Sequence, residues 1–386
     1  MKIMVIGSGM MGLAIVSDLA ARSRADQITA ADRDPAAARR AVKGGASSAA
    51  RIIPTELDLC DADRAVRLMR DHDMVVGAYP EEWAVRATEY ALEAGTHLVD
   101  ITALRDWESR AKMDRQLKRA GIAVIPGCGL APGLGNILMG IAADRVTNPH
   151  AGMIMVGGLP KDPGPPLDYT IVFSLDTVID EYTVRPRIIT GGQIRSVDPL
   201  SGLEPVTFDP PVGEAECFYT DGLTTLLDTM PRRGLREVAE KTVRYPGHRD
   251  RVALLAKCGL FDEQPLEVEG ATIIPRRFTS SVLTPLLRDE EAEDVSCLRV
   301  TVRGEDAVQF DLVDHFDRAN GVTSMARTTG YTCSIVAQML ADGHIAQRGF
   351  IPPEEAITER NYREFHRQLR QRGIHVIERE PGQQHR

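Results

Sequence analysis

Residues 3–21 read IMVIGSGMMGLAIVSDLAA and decide the fold, because a strand, a glycine-rich turn and a helix follow one another without a break. The apolar run Ile3–Ile6 predicts the strand, and the pattern of Met11–Ala21 predicts the helix. The turn has the spacing G-x-G-x-x-G, and its residues are Gly7, Ser8, Gly9, Met10, Met11 and Gly12. In this spacing the glycines permit a tight turn, close approach of the backbone to a pyrophosphate, and packing of the helix on the strand. We therefore predict that the turn binds a dinucleotide at the N-terminus of the helix, where unpaired N–H groups face the phosphates.

Short apolar runs and helical patterns alternate through residues 1–126. The predicted strands are Ile3–Ile6, Ile28–Ala31, Ala50–Ile53, Met74–Ala78, His97–Ile101 and Ile122–Ile125. The predicted helices are Met11–Ala21, Ala36–Lys43, Ala62–Arg70, Glu81–Ala94 and Trp107–Ala120. Such alternation is typical of a parallel sheet with helices on both faces. The predicted fold class is therefore α/β, with a Rossmann doubly wound parallel sheet.

The composition changes after the sixth predicted strand. Residues 127–135 (GCGLAPGLG) form a glycine-rich connection, in which Pro132 is predicted to start a helix that continues through Asn136–Ala143. Between about 150 and 315, strand-like runs alternate with proline-rich turns. These runs are Met153–Val156, Ile188–Thr190, Leu298–Val302 and Gln309–Val313. They predict a second, α+β domain with a mostly antiparallel sheet.

We place the first domain at residues 1–128 and the second domain at residues 129–320. The end of the chain is again helical in pattern. Residues 323–342 predict one helix, residues 360–372 predict a solvated helix, and Ile374–Glu378 predicts a short final strand.

The end of the second predicted strand bears on which dinucleotide binds. Asp32 follows Gly12 by about 20 residues, where an acid accepts hydrogen bonds from ribose hydroxyls and repels a 2′-phosphate. This favours NAD over NADP, although the neighbouring Arg33 is a residue type that can hold a 2′-phosphate. The loop after the fourth predicted strand contains Ala78 and Tyr79 and lies at the carboxyl edge of the sheet, where ligands bind in open α/β folds. We expect this loop to pass beside the cofactor, the alternative being a plain βα turn.

The composition excludes several classes of protein. A net charge of −9 and only 5% aromatic residues argue against nucleic-acid binding, which needs a basic surface and stacking rings. No apolar run approaches the ~20 residues that a membrane span needs, and no signal sequence is recognised. Six cysteines are scattered singly, as is typical of reduced thiols in a cytoplasmic protein. Without an H-E-x-x-H motif, a C-x-x-C pair or clustered His and Cys, no metal site is expected.

Asp100 ends the fifth predicted strand, at the same edge of the sheet. A carboxylate there can orient an amine or act as a general base, or it can be a structural acid. His248 is a second candidate for carrying a proton. A substrate α-carboxylate needs a cation such as Arg244 or Arg327, because arginine holds carboxylates with two parallel hydrogen bonds. Ion pairs within the protein are the alternative for both arginines.

Two runs of the second domain combine aromatic hydroxyls with small polar residues. DYTIVFSLDTVIDEYT (168–183) contains Tyr169, and CFYTDGLTTLL (217–227) contains Thr220. We expect both residues to contact the substrate.

Seven segments, in order, carry a resemblance to a known family. They are GSGMMG (7–12), HLVDIT (97–102), GLAPGLGNILMG (129–140), GGLPKDPGPPLDYTIVFSLDTVIDEYT (157–183), FYTDGLTTLL (218–227), KTVRYPGH (241–248) and MARTTGYTCSIVAQMLADGHIAQRGFIPPE (325–354). They resemble the lysine 6-dehydrogenase branch of the saccharopine dehydrogenase-like family. The resemblance implies an α+β domain for substrate binding and subunit contact, with the helical region 321–386 packing back on the first domain. We expect a homodimer or a higher homo-oligomer.

The same resemblance implies NAD-dependent oxidative deamination of the ε-amino group of L-lysine, or of a close diamino acid. Hydride leaves C6, the imine hydrolyses with release of ammonia, and the semialdehyde cyclises onto the α-amine. True saccharopine dehydrogenases look like G-L-D-P-G-x-D-H in the glycine segment. Here Ala131 stands in place of the first acid and Gly135-Asn136 in place of Asp-His. The loss of the acid and the imidazole favours a smaller substrate than saccharopine.

Two other functions remain open at this point. One is an NADP-dependent reductase of a secondary imine, of the saccharopine or carboxynorspermidine kind. The other is a dinucleotide-binding protein without turnover, which the second-domain motifs disfavour because a sensor needs no substrate pocket.

Overall fold

The structure is a computed structural model that describes residues 1–44, 50–104, 107–171, 174–289 and 291–379. The chain divides into two compact units. The first unit consists of Met1–Asp144, Thr224–Leu226 and Ala326–Ile374. The second unit consists of Arg145–Leu223, Leu227–Met325 and the residues from His375 onward.

The helices and strands follow one another along the chain in three groups. The first group is β1 (Lys2–Ile6), α1 (Met10–Arg22), β2 (Gln27–Asp32), α2 (Pro35–Gly44), β3 (Arg51–Glu56), α3 (Ala62–Arg70), β4 (Met74–Gly77), a 3-10 turn (Glu81–Trp83), α4 (Ala84–Ala94), β5 (His97–Asp100), α5 (Trp107–Ala120), β6 (Ala123–Ile125) and α6 (Leu134–Arg145). The second group is β7 (Ala151–Pro160), α7 (Leu175–Thr183), β8 (Arg187–Thr190), β9 (Gln193–Ser196), β10 (Glu204–Thr207), β11 (Glu214–Tyr219), α8 (Leu226–Arg232), β12 (Glu237–Arg244), α9 (His248–Lys257), β13 (Leu266–Val268), β14 (Ala271–Ile273), α10 (Pro275–Leu287), β15 (Asp294–Arg303) and β16 (Ala307–His315). The third group is α11 (Ser324–Ala341), β17 (Gly349–Phe350), α12 (Pro353–Ala356), α13 (Glu359–Gln371) and β18 (Ile377–Arg379).

The first unit is built around a seven-stranded parallel sheet in the order β17-β6-β5-β4-β1-β2-β3. Central strand β1 is apolar throughout because helices cover both faces of such a sheet, and Ile3 to Val5 have no exposed surface. The order of the first six strands is that of a Rossmann domain and confirms the predicted fold class. Register pairs Ile6 with Gly77 and Gly77 with Asp100, so the carboxyl ends of these strands emerge at one edge.

The second unit contains a nine-stranded mixed sheet. Its main path runs β10-β11-β12-β7-β15-β16-β18, and β8 and β9 branch from β12. Only β12 and β7 pair in parallel, and the other pairs are antiparallel. The mostly antiparallel sheet predicted for this part of the chain is therefore confirmed.

Helices α6 and α13 differ from the sequence prediction. Helix α6 begins at Leu134 and not at Pro132, because Gly129 and Gly133 first form a β-bridge and Leu134 N–H donates to the Gly129 carbonyl. Helix α13 is not solvated all round, since its buried side chains, which include Phe365 and Leu369, form one face amid charged residues.

The two units divide the chain at positions other than those predicted. The first unit extends through α6 to Asp144, whereas the sequence places the boundary after residue 128. The first ten residues of α6 are all buried, which suits a helix within a core. At the other end, β18 pairs with β16 in the second sheet, although the sequence groups it with the helices at residues 321–386.

Candidate functional site

The backbone of the glycine loop after β1 requires glycine at two positions. Gly7 has φ +94°, and a Cβ built on it would overlap the carbonyl oxygen of Ala78. A Cβ on Gly12 would overlap the Gly7 carbonyl. A side chain at either position would therefore separate the loop from α1 or from the loop after β4.

Gly9 is different, because nothing lies within 4 Å of a Cβ built there. This residue is the N-cap of the 13-residue helix α1, and it supplies no side-chain cap to the helix. Met10 beside it is 41% exposed. Open space in front of an uncapped helix N-terminus fits the diphosphate of a dinucleotide, since backbone N–H groups and the helix dipole both favour an anion there.

Asp32 ties the glycine loop to the end of β2. Its Oδ2 accepts a hydrogen bond from Ser8 N–H at 2.7 Å, and its Oδ1 accepts one from Asp34 N–H at 2.8 Å. Each carboxylate oxygen has a second lone pair that can accept a further donor, such as a ribose hydroxyl. Arg33 is exposed, and its charge is one of the causes that lower the pKa of Asp58, after the hydrogen bonds from Cys60.

A buried acid and a buried tyrosine meet at the same edge of the sheet. Tyr79 Oη donates to Asp100 Oδ2 at 2.8 Å, and Asp100 Oδ1 accepts from both the backbone N–H and the hydroxyl of Thr102, each at 2.9 Å. Asp100 is 1% exposed and Tyr79 is 6% exposed. Gly77 makes this contact possible, because a Cβ there would lie 2.6 Å from the Asp100 Cβ.

Burial raises the pKa of Asp100 to about 6, although the hydrogen bonds from Tyr79 and Thr102 act in the opposite direction. Burial, and then the nearby Asp100 charge, raises the pKa of Tyr79 well above its usual value. The phenol therefore stays protonated and donates, while the carboxyl group changes charge close to neutral pH. This is the range in which a general base is most effective.

Residues that the sequence did not single out complete this part of the first unit. Cys128 N–H donates to the Asp100 carbonyl at 2.8 Å, and Gly127 N–H donates to the Thr102 carbonyl at 2.7 Å. Cys128 and Cys333 are buried, and burial raises the pKa of both thiols well above the usual value. Thr102 stands within the HLVDIT segment, two residues after the acid that it stabilises. Its position two residues after Asp100 could have indicated that Thr102 belongs to the site. No feature of the sequence around Cys333 indicates that it lies there.

Asn136, where the sequence departs from true saccharopine dehydrogenases, is part of a buried hydrogen-bond network of the first unit. Its Oδ1 accepts from Gly133 N–H at 3.2 Å, and its Nδ2 donates to Thr225 Oγ1 at 3.2 Å. Thr225 in turn donates to Glu354 at 3.0 Å. Asn136 is thus bonded within the protein, and the network explains why Thr224–Leu226 belong to the first unit.

Arg244, a predicted substrate contact, lies in the interior of the second unit and is 1% exposed. Its Nη2 donates to Glu181 Oε2 at 2.6 Å, and its Nη1 donates to the Val243 carbonyl at 2.9 Å. Its guanidinium lies 4.8 Å from the ring centroid of Tyr169, the other predicted contact. Among the described residues, its Nε has no hydrogen-bond partner.

His248, a predicted proton carrier, lies in the interior of the second unit and has a contact at each ring nitrogen. It has no exposed surface, its Nδ1 lies 2.8 Å from the Leu167 carbonyl, and its Nε2 lies 2.9 Å from Tyr182 Oη. Because a carbonyl only accepts, we assign the proton to Nδ1, and Tyr182 then donates to Nε2. Burial, followed by the charge of Arg244, lowers the pKa of His248 to about 3. The ring is therefore neutral near pH 7.

The remaining predicted contacts also have partners in the protein. Thr220 is 3% exposed, and its hydroxyl lies 3.0 Å from that of Thr242. Arg327 is 9% exposed and donates to the Arg372 carbonyl at 3.0 Å. These contacts give no evidence that Thr220 or Arg327 binds the substrate.

Most of the predicted site residues fall into two sets. The first unit brings together the glycine loop, Asp32, Ala78, Tyr79 and Asp100 at one sheet edge. The second unit brings together Tyr169, Arg244 and His248 in its interior, with Tyr182 and Glu181 as partners that the sequence did not predict.

No described helix is long and apolar enough to cross a membrane. Within the described ranges, no group of three or more His, Cys, Asp or Glu side chains is arranged to hold a metal ion.

A Rossmann sheet with a glycine loop, an acid at the end of β2 and a buried acid at the same edge is the arrangement of a dinucleotide-binding domain. The family model for the saccharopine dehydrogenase NADP-binding domain matches residues 3–125, and the model for the saccharopine dehydrogenase C-terminal domain matches residues 129–374. The chain belongs to the saccharopine dehydrogenase family. It is an oxidoreductase of that family, acting on an amino acid or imine with a nicotinamide cofactor.

Similar proteins agree with this assignment. Saccharopine dehydrogenase [NADP(+), L-glutamate-forming] of Saccharomyces cerevisiae is 22% identical over 429 residues, which cover 91% of this chain and 93% of the yeast protein. The structure of apo saccharopine dehydrogenase (L-Glu forming) from the same yeast is similar with a TM-score of 0.80 at 20% identity, covering 98% of this chain and 99% of that one. Homospermidine synthase from Legionella pneumophila in complex with NAD has a TM-score of 0.68 at 11% identity, covering 99% and 92%. These structures confirm the fold.

Proposed function

We propose that this protein catalyses the NAD-dependent oxidative deamination of the ε-amino group of L-lysine, or of a close diamino acid. The products are ammonia, NADH and a semialdehyde that cyclises onto its own α-amine. The observation that carries the proposal is the buried pair Asp100 and Tyr79, held beside the glycine loop with a pKa of about 6 for the acid.

The cofactor would be held by the glycine loop and Asp32. The open space at Gly9 accepts the diphosphate against the α1 N-terminus. The Asp32 carboxylate accepts ribose hydroxyls through its remaining lone pairs, and its charge disfavours a 2′-phosphate. These two features support NAD. Bound there, the nicotinamide supplies hydride acceptance.

Asp100 removes a proton from the substrate ammonium, since only the neutral amine can lose hydride from its carbon. An acid with a pKa of about 6 is ionised at pH 7 and attracts the ammonium before taking its proton. Tyr79 holds Oδ2 of this acid through its hydroxyl, and Thr102 holds Oδ1 with two hydrogen bonds. These three contacts fix the direction of the carboxylate that takes the proton of the incoming amine. Water then hydrolyses the imine and releases ammonia.

The glycine segment at residues 129–136 indicates the size of the substrate. Ala131 offers no charge, and Asn136 is engaged with Gly133 and Thr225. Neither residue can contribute the acid and imidazole that the saccharopine pattern has at these places. This supports a primary amine without an additional dicarboxylate arm.

A second candidate is an NADP-dependent reductase that joins an amine to a keto acid or aldehyde. It is favoured by the yeast relative, whose name specifies NADP(+) and L-glutamate formation and which matches 91% of this chain. Exposed Arg33 is the residue that could accept a 2′-phosphate.

A spectrophotometric assay separates these functions. The purified protein is incubated with NAD or NADP and with L-lysine, L-ornithine, diaminopimelate or saccharopine, and the absorbance of the reduced nicotinamide is followed. We expect the largest increase with L-lysine and NAD. An increase confined to saccharopine and NADP would establish the reductase instead, and no change with any of these mixtures would indicate a protein without turnover.

The variant Asp100→Asn tests the assigned base. We expect turnover to fall by about 10²- to 10⁴-fold, as is usual for loss of a general base, while the dissociation constant for NAD stays within about twofold. Asp294→Asn is a matched control, because Asp294 is also a buried acid with a raised pKa but lies in the second unit, bonded to Ser324 and Met325. Unchanged turnover in Asp100→Asn would remove Asp100 from the mechanism.

A further inference from the structure

Helix α11 packs closely against the start of helix α1 at Gly330, within the first unit. A Cβ built on Gly330 would lie 3.0 Å from the Ala14 Cβ and 3.1 Å from the Met11 carbonyl oxygen. Carbon atoms in ordinary contact lie about 3.5–4.0 Å apart. The carbonyl belongs to the backbone of α1 and cannot turn aside as a side chain can. A side chain at position 330 therefore needs the two helices to separate.

A backbone requirement does not explain the glycine at this position. Gly330 lies inside the 18-residue helix α11 and does not have the positive φ that favours glycine elsewhere in the chain. Glycine is also among the poorest helix formers, because its backbone has the most freedom to lose. The close approach of α1 is the feature of the structure that accounts for this residue.

The part of α1 that Gly330 contacts is the turn that would hold the diphosphate. Gly9 is the N-cap of α1, and Leu13 N–H donates to the Gly9 carbonyl at 2.9 Å, which closes the first turn around Met11. Gly12 packs the same turn against the glycine loop. The position of this turn, and the direction of its unpaired N–H groups, therefore depends on contacts with both the glycine loop and α11.

Helix α11 is held in place on either side of this contact. Ser334 Oγ and Gln338 Nε2 donate to Asp18 Oδ2 of α1 at 2.6 and 3.3 Å, and all three side chains are buried. Thr329 contacts the glycine segment after β6, since a Cβ built on Gly129 would lie 3.2 Å from Thr329 Cγ2. A shift of α11 away from α1 would therefore disturb other packed contacts.

The first turn of α1 is the part that has room to move. Nothing lies within 4 Å of a Cβ built on Gly9, so the space in front of the turn is open. A methyl group at position 330 should therefore displace the first turn of α1 more than it displaces the buried part of either helix.

We propose that Gly330 is a positioning residue of the dinucleotide site, and that the absence of a side chain at this position sets where the N–H groups of α1 lie. These groups bind a phosphate oxygen well only at a donor–acceptor distance of about 2.7–3.2 Å, so a displacement of a few tenths of an ångström weakens each bond. This role requires that a dinucleotide binds at the loop, as in the proposed function. It does not depend on the substrate or on the choice between NAD and NADP.

Calorimetric titration of the full chain with NAD, and in parallel with NADP, tests the role of Gly330. We expect Gly330→Ala to raise the dissociation constant of the nucleotide that the wild type binds by about 5-fold, and Gly330→Val by about 50-fold, because the larger side chain displaces the turn further. The number of sites per chain is measured in the same titration. A variant that is partly unfolded shows fewer sites, whereas a displaced turn raises the dissociation constant of chains that remain folded.

Ala337→Val is the matched control for disturbed packing of α11. Ala337 is buried on the same helix, about two turns beyond Gly330, so an added side chain there lies away from the first turn of α1. This variant should change the dissociation constant by less than about twofold. Ala14→Gly, made in the Gly330→Ala chain, removes the Cβ that the new methyl group meets. It should restore most of the affinity lost, when compared with Ala14→Gly alone.

The role of Gly330 is overturned by a folded Gly330→Val protein that binds as tightly as the wild type, or by an Ala337→Val protein that loses as much affinity as Gly330→Ala. If Gly330→Val does not fold, Gly330→Ala decides. An unchanged dissociation constant there, or a raised one that Ala14→Gly does not restore, also overturns the role. A wild type that binds neither NAD nor NADP contradicts the dinucleotide site itself, and Gly330 then has no site to position.

Discussion

The carboxylate of the single residue Asp32 has two roles. It fastens the glycine loop to β2 through Ser8 N–H, and in the proposed complex it also receives the adenosine ribose. The first task needs only an acceptor atom, whereas discrimination against a 2′-phosphate needs the negative charge.

Asp32→Asn therefore separates the two tasks. The amide keeps one oxygen acceptor for the loop but removes the charge, so we expect the preference for NAD over NADP to fall by about 10-fold or more, which is roughly 1.4 kcal/mol. Fluorescence titration with NADH and NADPH gives the ratio of dissociation constants. Asp34→Asn is the control, because Asp34 is the adjacent exposed acid and caps Ala36 N–H. An unchanged ratio in Asp32→Asn would mean that another residue selects the cofactor.

The raised pKa of Asp100 predicts how the rate of the reaction depends on pH. Its pKa is raised to about 6, chiefly by burial, and a base acts only when ionised. We therefore expect kcat/KM to fall as the pH drops through about 6. Thr102→Val removes one hydroxyl donor that favours the charged form, so the pKa of Asp100 should rise and the acid limb should move up by about one pH unit. An acid limb at the usual carboxyl pKa near 4, or one that Thr102→Val does not move, would contradict the assignment.

At the scale of elements, a buried ion pair holds the nucleotide-binding helix in place. Arg372, which caps α13, donates two hydrogen bonds to Asp18 of α1 at 2.7 and 2.8 Å, and both side chains are 2% exposed. Ser334 and Gln338 of α11 also donate to Asp18 Oδ2. Three helices are thus joined at one carboxylate, about two turns of α1 beyond the glycine loop.

Arg372→Leu should leave Asp18 as a buried charge without its main partner. We expect the free energy of unfolding to fall by about 3–5 kcal/mol, measured by urea denaturation, because removing one member of a buried pair leaves the other uncompensated. Arg370→Leu, two residues away and exposed, should change it by less than about 0.5 kcal/mol. Equal effects of the two substitutions would show that the pair does not stabilise the first unit.

The elements themselves were largely predictable, and their partners were not. Local apolar periodicity predicts strand β1 and helix α3, because this pattern depends only on neighbours in sequence. The pairs Asp18 with Arg372 and Asn136 with Thr225 leave no such pattern, because the partners are far apart in the chain. For the same reason the burial of His248 and its contact with Tyr182 could not be predicted, since both arise only on folding.

At the scale of the whole molecule, residues from three separate stretches of the chain build the first unit. The sequence indicates the Rossmann part, since its β and α units are consecutive. The sequence does not indicate that Thr224–Leu226 belongs to this unit, because a stretch of three residues is too short to show a periodic apolar pattern. The buried Asn136 network supplies the reason.

Titration calorimetry of NAD with the wild-type protein and with Gly9→Asp is the most direct measurement. A Cβ at Gly9 meets no protein atom, and aspartate is a favoured N-cap, so the variant should fold normally while its carboxylate repels the diphosphate. Gly164→Asp is the matched control at a second open glycine. We expect the wild type and Gly164→Asp to bind one NAD per chain and Gly9→Asp to show no binding. A folded wild type that binds neither NAD nor NADP, or a Gly9→Asp variant that binds as tightly as the wild type, would contradict a dinucleotide site at this loop.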